Sequence, residues 1–152
     1  MIKEIENLIL SSSDIIKRSV NLSNQIETSV KTITECLRNE NKIIIFGNGG
    51  SAADAQHIAA EFIGRFKLER KSYPAIALTT DTSILTSLSN DYSSDVIFSR
   101  QCESLVSKGD IVIGISTSGN SKNVENGIVT AKEKGAITIG LLGNHGGVLG
   151  NI

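Results

Sequence analysis

The chain has 152 residues, which is enough for one domain with a full hydrophobic core and too few to expect two. Its 15 basic and 16 acidic residues give a formal net charge of −1, so no overall field would attract nucleic acid or an anionic membrane, and no apolar run approaches the roughly 20 residues of a membrane span. The two cysteines, Cys36 and Cys102, lack metal-type spacing and the N-terminus lacks signal-peptide features, which together indicate a reduced, cytoplasmic protein.

Apolar residues recur at helical spacing from Ile2 to about Leu37, a pattern that predicts two amphipathic helices. Beyond them, short apolar segments predict four buried strands, at Lys42–Phe46, Ala75–Leu78, Ile111–Ile115 and Ile137–Leu141. Helical patterns separate these strands, at Ala52–Phe66, Asp95–Val106 and Lys122–Lys134. The alternation predicts an α/β domain with a parallel sheet flanked by helices, in which ligands bind beyond the carboxyl ends of the strands.

The first predicted strand runs into a glycine-rich loop, Phe46–Ser51, and the helix that follows carries His57 and Glu61. A glycine-rich backbone at a helix start can turn its N–H groups toward an anion. His57 and Glu61 are one helical turn apart, so an imidazole nitrogen and a carboxylate oxygen can reach one Zn²⁺ ion, although the same spacing also suits a plain hydrogen-bonded pair. Glu61 is also a candidate general base.

A second loop places four hydroxyl-bearing residues between a strand and a helix: Ser116, Thr117, Ser118 and Ser121. Hydroxyls and free N–H groups at a helix start donate well to phosphate oxygens, so this loop is a candidate phosphate cup. Serine at such a position also commonly caps a helix, and for any one serine both interpretations stand. No lysine precedes the hydroxyls at the place where a nucleotide-binding P-loop requires one.

Several other polar residues suit either a ligand-binding role or a purely structural one. Asn90 and Asp91 end a serine-rich segment after the second strand, where they either hydrogen-bond sugar hydroxyls or form a local Asx turn. Arg65 and Arg70 lie near the end of a predicted helix, where arginines either help to bind an anion or are simply solvated. His145 lies in a glycine-rich stretch that we predict to be a loop.

In combination, these motifs closely resemble those of the phosphoheptose isomerases, members of the sugar isomerase (SIS) domain superfamily. The resemblance covers nearly the whole chain and rests on Gly47–His57, Glu61, Gly64–Arg65, Asn90–Asp91 and Gly114–Ser121. It implies one SIS domain over residues 1–152, with a flavodoxin-like three-layer core at 41–152 that binds a sugar phosphate. The N-terminal helices, at 1–40, would lie in the subunit contacts of a homotetramer.

The resemblance also implies an activity, the isomerisation of sedoheptulose 7-phosphate to D-glycero-D-manno-heptose 7-phosphate through an enediolate. This reaction leads to the heptose of the bacterial lipopolysaccharide core. Glu61 would be the catalytic residue, and His57 and Glu61 would bind zinc. The substrate would be held by Asn48, Gly49, Gly50, Ser51, Glu61, Asn90, Asp91, Ser116, Thr117, Ser118 and Ser121.

The sequence departs from this family in one respect. In the family, the chain continues through a last strand to a helix with an Arg-Ile-Gln-Glu-x-His type motif, whose Gln and His complete the zinc site. This strand and helix are absent from the 152 residues. With His57 and Glu61 as its only ligands, we expect the chain to hold zinc weakly and to be nearly inactive.

Two other functions fit parts of the sequence. The first is a non-catalytic, protein-binding SIS module of the replication initiator-associating type, in which the acid matching Glu61 and the serine matching Ser118 are replaced. Both residues are present here. The second is a regulatory sugar-phosphate sensor, which would need the serine cup but not Glu61. Retention of both groups favours the enzyme.

Overall fold

The computed structural model describes residues 1–152, which divide into two compact units, Met1–Thr34 and Glu35–Ile152. The chain begins with α1 (Ile2–Arg18), continues through a 3₁₀ turn (Ser19–Leu22) and leads into α2 (Ser23–Arg38). The two predicted helices are present, but they are joined as one long helix because no glycine or proline interrupts this stretch. None of the helices has the length and apolar character of a bilayer span.

Four parallel strands form the sheet: β1 (Ile43–Gly47), β2 (Ala75–Ala77), β3 (Ile111–Ser116) and β4 (Ile137–Leu142). Their order across the sheet is β2-β1-β3-β4. The connections contain four helices, α3 (Gly50–Ile63), α4 (Thr82–Asp91), α5 (Ser99–Leu105) and α6 (Lys122–Glu133). Short 3₁₀ turns lie at Ser94–Val96, Asn144–Gly146 and Leu149–Asn151. The predicted parallel sheet flanked by helices is confirmed.

Helix α4 has no counterpart in the sequence prediction. It is rich in serine and threonine, which favour caps and turns over helix interiors. The helix nevertheless has a strong start, because the Asp81 carboxylate accepts a hydrogen bond of 3.0 Å from the N–H of Ile84. The next predicted helix, Asp95–Val106, is wrong at its start: Ser94–Val96 forms a separate 3₁₀ turn before α5.

The two central strands, β1 and β3, are buried along their whole length, whereas the edge strands β2 and β4 are partly exposed, so the prediction of four buried strands is wrong for these two. Phe46 stacks on Phe98 with ring centroids 4.8 Å apart, and Gly127 allows α6 to pack closely, since a Cβ there would lie 2.7 Å from the Phe46 ring. Burial raises the pKa of the Cys102 thiol to about 12, so this cysteine is an unreactive part of the core. The loops that follow β1 and β3 are thus anchored in the best-packed part of the molecule.

The amino ends of β1 and β3 are tied together by a buried acid. Asp110, which is 1% exposed, accepts a hydrogen bond of 2.6 Å from Lys42 Nζ. It also accepts from the backbone N–H of Lys42 (3.1 Å) and from that of Ser107 (2.7 Å). The charge is therefore both paired and fully hydrogen-bonded, which is the condition for burying a carboxylate.

Candidate active site at the carboxyl end of the sheet

Two loops meet where β1 and β3 end. The strands pair with Gly47 opposite Ile115, so the loop after β1 and the loop after β3 start side by side. The approach is close, because a Cβ at Gly47 would lie 2.7 Å from the carbonyl oxygen of Ile115 and 2.7 Å from the Cβ of Ser51. Only glycine fits at this position, so the first glycine of the loop has a packing role.

The first loop ends at the start of α3. Gly49 is the N-cap residue and has a φ of +55°, a left-handed conformation that favours glycine. No side chain caps the helix; the N–H groups of Ser51 and Ala52 donate instead to the backbone carbonyl oxygens of Asn48 (2.9 Å) and Gly49 (3.1 Å). Asn48, Gly49 and Gly50 are exposed, whereas Ser51 is buried. The loop therefore presents a helix start and one amide side chain at the surface.

The second loop, residues 116–121, gathers its serine hydroxyls. Ser116 Oγ lies 3.0 Å from Ser121 Oγ and 3.4 Å from Ser118 Oγ. The backbone N–H of Gly119 donates to Ser116 Oγ at 3.2 Å, and that of Asn120 donates to Ser118 Oγ at 3.2 Å. Ser121 occupies the N-cap position of α6, yet its hydroxyl makes no capping bond to the helix. The hydroxyls thus form one compact group at a helix start.

A turn after β4 braces this hydroxyl loop. The predicted loop around His145 contains an ordered 3₁₀ turn, in which His145 is exposed with a φ of +56°. Gly119 has a φ of +68°, and a Cβ there would overlap Gly146, so the two segments touch through their backbones. Four hydrogen bonds join them, from Gly143 N–H to Ser116 O (3.0 Å), from Asn144 Nδ2 to Ser118 O (3.4 Å), from Val148 N–H to Asn120 Oδ1 (3.0 Å) and from Leu149 N–H to Gly119 O (3.0 Å).

His57 and Glu61 lie on one face of α3. His57 Nε2 is 3.4 Å from Glu61 Oε1, and the side chains are 78% and 38% exposed. A nitrogen and an oxygen at this separation suit the donor preference of zinc. The chain contains no group of three or more His, Cys, Asp or Glu side chains placed to hold a metal, so the pair is not part of a larger cluster of such residues.

Arg70 closes the other end of α3. Its guanidinium donates to the backbone carbonyl oxygens of Glu61 (2.6 Å) and Phe62 (2.9 Å). A cation is favourable at a helix C-terminus because the last carbonyls carry partial negative charge. Arg70 therefore supports the backbone at Glu61, whereas Arg65 forms a surface ion pair with Glu69 at 3.2 Å.

Asn90 and Asp91 form the last residues of α4. Asn90 Nδ2 donates to Asp91 Oδ1 at 2.9 Å, and both residues are exposed. Neither side chain shares a hydrogen bond with the two loops. Likewise, the side chains of His57 and Glu61 make a polar contact only with each other, so hydrogen bonds connect the two loops to each other but not to either of these pairs.

One residue that joins the two loops escaped the sequence prediction. Asn123, in the first turn of α6, and Asn48, in the first loop, exchange two hydrogen bonds between their side-chain amides, of 2.8 and 3.1 Å. The two residues are 75 positions apart. The local sequence around Asn123 does not indicate that Asn48 is its partner. Only the pairing of β1 with β3, which brings the two loops together, indicates this contact.

Comparison with known proteins identifies the class of this fold and site. A family model described as "SIS domain" matches residues 9–143. The match spans the whole sheet and both loops at its carboxyl end. It therefore defines the molecule as an SIS domain protein.

The most similar relatives narrow this class. The phosphoheptose isomerase of Geotalea daltonii is 52% identical over 153 residues, which span 100% of this chain and 80% of the relative. That of Geobacter sulfurreducens is 55% identical over 131 residues, which span 86% of this chain and 69% of the relative. The chain belongs to the phosphoheptose isomerase family.

Solved structures agree with this assignment. The phosphoheptose isomerase GmhA from Neisseria gonorrhoeae superposes with a TM-score of 0.90 at 40% identity, covering 100% of this chain and 80% of that one. A phosphoheptose isomerase from Francisella tularensis gives a TM-score of 0.90 at 33% identity, with coverages of 99% and 79%. The predicted family and fold are both confirmed.

Proposed function

We propose that this protein isomerises sedoheptulose 7-phosphate to D-glycero-D-manno-heptose 7-phosphate, in the heptose and lipopolysaccharide core biosynthesis of bacteria. The observation that carries the proposal is the group of serine hydroxyls beside a helix start without a side-chain cap, at the ends of β1 and β3. The isomerase class follows from the family. The relatives do not favour a non-catalytic, protein-binding module.

The phosphate group is proposed to bind at the hydroxyl loop. Ser116, Ser118 and Ser121 gather three hydroxyls beside the start of α6, with Thr117 in the same loop, and first-turn N–H groups and the helix dipole there favour an anion. The serine hydroxyls already contact one another, so a phosphate would replace weak hydroxyl–hydroxyl bonds with stronger, charge-assisted ones. The sugar end is proposed to contact the first loop and the end of α4, through Asn48, Gly49, Gly50, Ser51, Asn90 and Asp91.

Glu61 is proposed to move the proton. Interconversion of a ketose and an aldose transfers a proton between adjacent carbons through an enediolate, which requires a base beside C1 and C2. The Glu61 carboxylate is half-buried, and Arg70 holds its backbone at the end of α3. Binding of the remote phosphate would help to hold the reacting carbons against this carboxylate.

His57 and Glu61 are proposed to hold a zinc ion. Their nitrogen and oxygen donors, 3.4 Å apart, fit zinc as two of its ligands, whereas catalytic zinc sites usually have three protein ligands. When bound, zinc supplies a positive charge that stabilises a developing oxyanion. The exposure of His57 leaves its imidazole accessible for this purpose.

Assembly into a homotetramer is also part of the proposal, with residues 1–40 in the subunit contacts and 41–152 as the sugar-phosphate-binding core of a single SIS domain. No residue of α1 is buried, although its apolar residues recur at helical spacing. Ile5, Leu8, Ile9 and Ile16 are each more than half exposed. An apolar stripe of this kind is stabilised by burial against another surface.

We further propose a cytoplasmic location, in keeping with two free, buried cysteines.

Proton exchange provides the test of this function. In D₂O, an enediolate mechanism incorporates deuterium at the carbon that exchanges its proton, which NMR of sedoheptulose 7-phosphate detects even at low turnover. We expect slow deuterium incorporation and slow heptose 7-phosphate formation with the wild-type protein and added zinc. Glu61→Gln keeps the shape of the side chain but removes the basic oxygen, so kcat should fall roughly a hundredfold or more while the fold persists.

Two results would contradict the proposal. Near-normal exchange by Glu61→Gln would exclude this residue as the base. Binding of sedoheptulose 7-phosphate by the wild-type protein without exchange or product would instead support a sugar-phosphate sensor.

A further inference from the structure

The amides of Asn48 and Asn123 form a closed pair. Asn48 Nδ2 donates to Asn123 Oδ1 at 2.8 Å, and Asn123 Nδ2 donates back to Asn48 Oδ1 at 3.1 Å. Asn48 is exposed and its neighbours in the first loop include two glycines, whereas Asn123 lies in a helix next to the fully buried Val124. Helix α6 therefore holds Asn123 in place, and the side chain of Asn48 depends on Asn123 for its position.

Reciprocal bonding restricts Asn48 more strongly than a single hydrogen bond would. If one amide alone rotated by half a turn, two oxygens would face each other and two NH₂ groups would face each other, so both bonds would be lost. The pair uses one N–H and one oxygen lone pair of Asn48. One N–H and one lone pair remain, and their directions are set by the plane of the pair.

The same helix turn connects this pair to the hydroxyl loop. Asn123 is two residues after Ser121, whose hydroxyl lies 3.0 Å from that of Ser116. The position of the Asn48 amide is therefore set by the same first turn of α6 that carries one of the cup hydroxyls. A ligand that bridges the two loops would meet a preformed spacing between them.

We infer that Asn123 is a positioning residue, which acts by holding the Asn48 amide in place for the sugar phosphate. The inference rests on the proposed function, because it takes Asn48 as a substrate contact. Asn123 itself need not touch the substrate.

A double-mutant cycle tests the inference. Binding of sedoheptulose 7-phosphate is measured by calorimetry for Asn48→Ala, Asn123→Ala and the double variant, all in a Glu61→Gln background that slows turnover. We expect each single change to raise Kd about five- to tenfold, and the double variant to be no weaker than Asn48→Ala alone. A residue that merely stabilises the fold would add its own loss to that of Asn48→Ala.

Asn126→Ala is the matched control. Asn126 lies one turn further along α6, and its side-chain amide donates to the carbonyl oxygen of Asp95 at 3.0 Å, away from both loops. We expect this variant to bind within twofold of its parent. Multiplicative losses in the double variant, or binding by Asn123→Ala within twofold of its parent, would overturn the inference.

A spectroscopic measurement separates this inference from the proposed function. In ¹⁵N-labelled protein without ligand, the Asn48 side-chain amide signals should shift in Asn123→Ala and remain in place in Asn126→Ala. Unchanged Asn48 signals in Asn123→Ala would show that the pair does not form in solution. If the wild-type protein failed to bind sedoheptulose 7-phosphate while these signals shifted as expected, the substrate would be wrong and the positioning of Asn48 would stand.

Discussion

The two ends of the central strands differ in whether their polar groups are buried and hydrogen-bonded or exposed to solvent. At the amino end, Asp110 is buried and its oxygens accept three hydrogen bonds, from the Lys42 ammonium and from two backbone N–H groups. At the carboxyl end, Asn48 and Ser118 are exposed, and no side chain caps α3. Donors that are satisfied within the protein stabilise the fold, whereas donors left at the surface are available to a ligand. We therefore expect changes at the amino end to alter stability and changes at the carboxyl end to alter binding.

The largest effect is expected from Asp110→Ala at the amino end. The change leaves two N–H groups and the Lys42 ammonium without their acceptor, and loss of one partner of a buried pair costs about 3 kcal/mol or more. Urea unfolding should show this loss in the free energy of unfolding, while the folded variant keeps its Kd for sedoheptulose 7-phosphate. A much weaker Kd at full folding would break the proposed division between the two ends.

Smaller effects are expected from Ser118→Ala and Ser121→Ala at the carboxyl end. Each variant loses one charge-assisted hydrogen bond to phosphate, about 1 to 2 kcal/mol, and should show a higher KM with little change in the free energy of unfolding. Steady-state kinetics of both variants measure KM, and urea unfolding measures the free energy of unfolding. If KM stayed unchanged in both, these serines would be structural residues of the loop.

The smallest effect is expected from His57→Ala. His57 is a proposed zinc ligand with an exposed side chain, so removal of its imidazole should weaken zinc binding about fivefold without altering stability. Equilibrium dialysis against buffered zinc measures this affinity. An unchanged zinc affinity in the variant would show that His57 is not a ligand.

Sequence patterns predict the strands and loops at the carboxyl end of the sheet better than they predict the helix and side-chain contacts around those loops. The β-branched run at Ile43–Ile45 and the glycine and serine loops are local signals, so the strands and both loops were identified. The start of α4 depends on one cap at Asp81, and its serine-rich sequence has little helix propensity. The bond between Asn48 and Asn123 depends on strand pairing across 75 positions, which no local pattern records.

The turn after β4 that braces the hydroxyl loop is another tertiary contact that local sequence does not predict. Its residues, Gly143–Leu149, include the glycine-rich stretch Gly143–Gly147, which the sequence predicts to be a loop. Their bonds to the loop at Ser116–Asn120 form only after β4 has paired with β3. Composition indicates a turn at this place, but the partner of a turn is decided by tertiary structure.

The brace has a consequence for synthesis on the ribosome. A nascent chain that has emerged only as far as Lys134 contains every hydroxyl of the Ser116–Ser121 loop, but neither β4 nor the turn that hydrogen-bonds to it. Gly119, whose left-handed backbone lies against Gly146, then lacks both this contact and the hydrogen bond that the Leu149 N–H donates to its carbonyl oxygen. We therefore expect sugar phosphate to have no stabilising effect on such a nascent chain, because the hydroxyl loop is braced only after β4 has been translated and has paired with β3.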